Sequence, residues 1–150
     1  MAEFSFSVFI LFLALIVVIE ICHAMWDYST LVESARRGVR YAVANLGANG
    51  NDTAIKNVVV YGSPVRGQAA PALPELQTNH VRVRYHNVVN GSDSPMLSTT
   101  LDSEVVVTVR IQEYNFQTWF GSSQGFLGLV RFPMPTVNAR MLVESQGANN

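Results

Sequence analysis

FSFSVFILFLALIVVIEICHAMW, residues 4–26, runs through sixteen uncharged positions before Glu20 and contains no lysine or arginine. As a helix rising about 1.5 Å per residue it spans roughly 35 Å, enough for a hydrocarbon core of about 30 Å with Glu20 near one edge. Burial of such a helix inside a soluble domain would need a larger protein around it. A secretory signal peptide would open on basic residues and close on a small-residue cleavage site. Here the only early charge is Glu3, and Glu20 interrupts the apolar region, which reads against cleavage after Ala24.

The helical pattern continues beyond the apolar limit. In DYSTLVESARRGVRYAVANL, residues 27–46, Leu31, Ala35, Val39 or Ala42, and Leu46 recur at helical spacing, while Glu33, Arg36, Arg37 and Arg40 fall mostly on other faces. Glu33 and Arg37 form an i,i+4 pair in the favourable order, and Gly47 with Asn49-Gly50 supplies a stop. One helix over about residues 2–46, roughly 65 Å long, would therefore pass from an apolar environment into water.

Composition agrees with apolar material gathered at one end. The 150 residues are 49% hydrophobic and 14% charged, with a net charge of -1 and no run of lysine or arginine. That balance gives no footprint for a nucleic-acid partner. Cys22 is the sole cysteine, so no intrachain disulfide forms, and it is expected to be a buried structural thiol.

After residue 47 the period changes. Val81, Val83 and Tyr85 alternate with Arg82, Arg84 and His86; Val105, Val107, Val109 and Ile111 alternate with Glu104, Thr108, Arg110 and Gln112; Val137, Ala139, Met141 and Val143 alternate with Thr136, Asn138, Arg140 and Glu144. Three strands, each with one wet face, fit antiparallel pairing. Residues 55–61, with continuous Val58-Val59-Val60, read as a fourth strand or an extension of a helical turn. Residues 62–79 read as a loop, and Asn90-Gly91-Ser92-Asp93 as a turn. The expected class is α+β: one long N-terminal helix, about residues 2–46, followed by a small antiparallel sheet of three to four strands. Its parts are a membrane or filament-core half at 1–26, an amphipathic half at 27–46 and an outward-facing β domain at 47–150.

Glu3-Phe4 ahead of the apolar run, Glu20 near its far end, and Ala35, Arg37, Gly38, Tyr41 and Ala42 beyond it follow one another in an order that resembles the TadE-like family of pseudopilins and minor pilins from tight-adherence systems. Glu144, closing VNARMLVE, falls where that family's last strand ends on Glu. The likeness is strong over residues 2–46 and loose afterwards. In type IV pilin-like chains the acidic residue is normally fifth after the processing cut. Here it is third, and the resemblance implies a short basic leader ending in Gly in the upstream reading frame. It also implies a structural subunit of a type IV pilus-like surface filament, with helices stacked in the filament core and the early glutamate opposite a neighbour's N-terminal amine. Glu3, Phe4, Glu20, Arg36, Arg37 and Arg40 are then the assembly residues. Partners would be other copies or related pilins, and the membrane before assembly; the location would be the inner membrane, then a cell-surface or extracellular filament. The alternative is a single-span, membrane-anchored binding or assembly protein that does not polymerise.

Catalytic patterns are not evident. Cys22 and His23 are adjacent and so do not face each other on a helix. His80 and His86 share a strand face about 20 Å apart, too far for a common metal. No phosphate-cradling Gly-rich motif and no G-x-S-x-G occurs. The expectation is no enzyme, no metal and no cofactor. Asn51 and Asn90 open formal glycosylation sequons. Residues 115–132, NFQTWFGSSQGFLGLVRF, carry Phe116, Trp119, Phe120 and Phe126 between two strands. They either pack on the domain's own core or form a subunit contact.

Overall fold

The computed structural model describes residues 2–45, 52–66, 69–87, 91, 93–94, 105–116 and 132–143. Two compact units divide the chain: residues 1–29 with 115–134, and residues 30–114 with 135–150. Helix α1 is continuous from Ala2 to Ala44. It ends at Ala44, against an expected limit of about residue 46, with the Asn45 amide bonded to the Tyr41 carbonyl at 3.1 Å. Leu46 lies outside the described residues.

In the second unit the buried face of α1 is Leu31, Ser34, Ala35, Gly38, Val39 and Ala42, which reproduces the spacing read from the sequence and adds two small polar or Cβ-free positions to it. Ser34 is accommodated there because its hydroxyl donates to the Leu31 carbonyl at 2.9 Å. Glu33 reaches Arg40 at 3.8 Å, two turns on, in place of the expected Arg37.

Residues 55–61 are not a strand. They belong to helix α2, Asp52–Tyr61, in which Ile55, Asn57, Val58, Val59 and Val60 are all buried. A run of β-branched residues cannot by itself separate strand from buried helix. What decides here is the pair of helix ends: Asp52 sits in the first turn and bonds Lys56 one turn later. Gly62 follows with φ of +71° and donates to the Val58 carbonyl at 2.9 Å. Asn57 is buried yet satisfied, its amide donating to the Pro64 carbonyl at 3.0 Å.

The main sheet has the order β2-β1-β3-β6, all antiparallel, with β1 Val81–Asn87, β2 Asp93–Ser94, β3 Val105–Ile111 and β6 Val137–Val143. Val81, Val83 and Tyr85 of β1 and Val107, Val109 and Ile111 of β3 form its buried face, as the alternation predicts. The phase of β6 is right but its burial fades. Val137 is buried, whereas Met141 is exposed; among the described residues β6 has a paired neighbour on one side only. The two-residue β2 follows Gly91, whose φ of +61° suits the turn, and was not expected as a strand. The 62–79 loop is anchored by buried Leu73 and Leu76 and ends in a 3-10 turn, Thr78–His80. In the first unit a short pair, β4 Asn115–Phe116 with β5 Phe132–Pro133, brackets residues 117–131.

Candidate assembly surface

Why the first unit's helix surface matters follows from its side chains. From Phe4 to Trp26, fourteen large apolar residues of α1 are exposed, Phe4 at 75% and Trp26 at 71% being the extremes of the two ends. No residue in the most apolar 18-residue window is buried, and the helix is long and apolar enough to cross a membrane. Fully removing one such side chain from water contributes about 1.5–3 kcal/mol. Covering all fourteen completely contributes on the order of 20 kcal/mol even at the lower figure, more than the roughly 5–15 kcal/mol that separates folded from unfolded for a whole domain. This surface has the length and apolar character that a bilayer core requires.

Glu3 opens the helix and is exposed; Phe4 beside it is the most exposed of the phenylalanines described. Glu20 is half-buried. The seventeen steps from Glu3 to Glu20 correspond to about 25 Å of rise, so both can lie near the edges of a hydrocarbon core of about 30 Å. Trp26 and Tyr28, both exposed, follow the apolar stretch, where amphipathic rings suit an interface. Cys22 is free and exposed on this helix, not the buried thiol expected.

One face of the helix near this end is polar. His23 stacks edge-on against Phe116, ring centres 5.4 Å apart and planes at 62°, and its Nε2 lies 3.9 Å from Oδ1 of the buried Asp27. Glu20, His23 and Asp27 follow i, i+3, i+7 spacing, the same line that continues as the buried Leu31-Ser34-Gly38 face. The sequence reading stopped this line at Leu31, because a buried aspartate breaks the apolar pattern on which it relied.

Over residues 1–40 the chain matches the family model for TadE-like protein. No curated protein and no solved structure matches it. The matched segment thus covers the exposed apolar surface from Phe4 to Trp26 and reaches Gly38 and Arg40 in the second unit. Arg36, Arg37 and Arg40, in its last two turns, are exposed. Arg40 is tied to Glu33, and the Arg37 guanidinium lies over Gly62, its Nη1 3.1 Å from where a Cβ would stand. Among the described residues no group of histidine, cysteine or carboxylate side chains could hold a metal ion. Trp119, Phe120, Phe126, Asn51 and Asn90 lie outside the described residues, as does Glu144. Phe116 is buried.

Proposed function

We propose that the chain is a structural subunit of a Tad-type surface filament, non-enzymatic and assembling through α1. The observation that carries this reading is the apolar surface from Phe4 to Trp26, exposed along its length within the TadE-like segment. A helix that satisfies its own backbone bonds can rest in lipid and later exchange lipid for the helices of other copies. Two carboxylates on such a helix ask for partners or an interface. In this reading Glu3 meets the N-terminal amine of a neighbour, Glu20 marks the outer edge of the apolar layer, and Arg36, Arg37 and Arg40 lie beyond it in water. The chain resides in the inner membrane before assembly and in an extracellular filament after it.

The test is to shear surface material from cells, image it by negative stain, and assay both filaments and membranes for the chain. Presence in filaments supports the proposal. A chain confined to the membrane fraction while filaments form without it would sink the proposal and favour a single-span anchored binding or assembly protein.

A further inference from the structure

The wet face of the main sheet concentrates positive charge. Alternation places Arg82 and Arg84 of β1, Arg110 of β3 and Arg140 of β6 on the side opposite the buried valines. Arg82 and Arg110 are direct register partners, and Arg84 and Arg140 flank Thr108 in the next row but one. Like charges placed directly opposite each other destabilise a sheet. Among the described residues only Arg84 has an acidic partner on this face, Asp93, at 4.0 Å; Arg110 donates to the neutral Asn138 at 2.8 Å. Arg82, Arg84 and Arg140 are exposed. The sheet's own packing gives no reason for this repulsion.

Acidic charge stands at the end of the sheet. Among the described residues four arginines and Asp93 leave this face at +3; Glu104 and Glu144, which the alternation assigns to the same side, lie outside them. Two further negative charges, Glu75 and Glu113, are exposed and held at φ of +62° and +60°, a left-handed conformation that a non-glycine residue rarely adopts. Both lie at the end of the sheet where Val81 pairs with Ile111. There Tyr114 donates to the Pro74 carbonyl at 3.2 Å and the Gln112 amide to the His80 carbonyl at 2.9 Å, which ties the two turns to one another.

We infer that the arginine face of one copy docks on the Glu75 and Glu113 turns of the next. The contact joins two different patches, face to turn, and each copy carries both halves of it. It relieves the Arg82–Arg110 repulsion by placing carboxylates between the guanidinium groups, which bind carboxylate oxygens through a two-pronged fork. The contact belongs to the sheet and its turns, not to α1, so it rests on self-association but not on the filament reading itself.

The experiment uses the full chain in detergent micelles and sedimentation to measure self-association at low and high salt. Variant A carries Arg82→Glu and Arg110→Glu; variant B carries Glu75→Arg and Glu113→Arg. Each alone is expected to lose association by at least about tenfold, because its docking surfaces now have the same sign. An equimolar mixture of A and B is expected to regain it, the glutamate face of A meeting the arginine turns of B, and thermal melts of each confirm folding. Association that is unchanged in both variants, a mixture no stronger than its parts, or a wild-type chain without salt-dependent association would each overturn the inference. Binding of the arginine face to an added polyanion such as heparin, with variant B still self-associating normally, would overturn it in favour of a different partner. Filament capture of the chain is read separately, so failure here leaves the α1 proposal standing.

Discussion

Gly38 on α1 lies so close to Val59 on α2 that a Cβ at position 38 would stand 2.3 Å from Cγ2 of Val59. Real Cβ atoms do not approach this closely, and Val59, itself 1% exposed, has nowhere to retreat. The helix crossing is thus set by the absence of a side chain. Gly38→Ala gains helix propensity of about 1 kcal/mol, but overpacking of a filled core costs about 1–3 kcal/mol, and the second effect should win. Thermal melts of the full chain in detergent should show a lower midpoint for Gly38→Ala, and Val59→Ala in the same chain should relieve part of that loss beyond additivity. A melt equal to or above wild type would mean that the helices can separate freely at this point.

Val107 is fully buried on β3 while its neighbour Thr108 faces the wet side and is half-exposed. Val107→Asp places a carboxylate in an apolar core and is expected to destabilise the second unit by several kcal/mol, on the order of 3–5. Thr108→Asp should stay within about 1 kcal/mol of wild type, and lies among arginines that favour it. Comparable damage from both changes would contradict the strand phase.

Tyr85 is buried, and its hydroxyl has no hydrogen-bond partner among the described residues. Burial, with a smaller contribution from the Asp52 carboxylate, raises its pKa above the ordinary phenol value. The unfolded phenol ionises near about 10, so this group leaves stability level below that pH. Stability is then lost as the pH climbs from the unfolded to the folded pKa, because the unfolded chain releases the proton first. Tyr85→Phe should remove this part of the alkaline slope and, at neutral pH, be neutral or stabilising by up to about 1 kcal/mol. Denaturant melts of both chains across the alkaline range provide the check; identical slopes would rule out Tyr85 as the titrating group.

Glu113 holds a left-handed backbone between β3 and β4. Glycine adopts that region without steric penalty, so Glu113→Gly should raise stability by about 1 kcal/mol despite the added freedom of the unfolded chain. Glu113→Ala keeps the penalty and should not. The two midpoints can be compared in one set of melts, and a stabilising alanine would refute the backbone explanation.

Glu3→Ala is expected to reduce filament yield while leaving the membrane content of the chain unchanged, since a carboxylate at the start of an apolar helix needs a cation that lipid does not offer. Acetylation of the N-terminal amine should act in the same direction. Equal filament yield in mutant and parent removes Glu3 from the assembly mechanism.

The residues of α1 announced their own helix, their apolar half and the face carrying Leu31, Ala35, Val39 and Ala42, because a period near 3.6 and a long uncharged run each have one structural meaning. The buried faces of β1 and β3 were legible for the same reason, a period of two with arginines between valines. Residues 55–61 were not. Val58-Val59-Val60 is buried on every side, so no period survives to be read, and the helix is decided by Asp52, Lys56 and Gly62 at its ends together with the cover that α1 and the sheet provide. The burial of Asp27, the exposure of Cys22 and the left-handed turns at Glu75 and Glu113 likewise depend on which neighbours arrive from distant parts of the chain. Local spacing determines which side of an element is apolar; only the folded chain decides whether that side is covered, and by what.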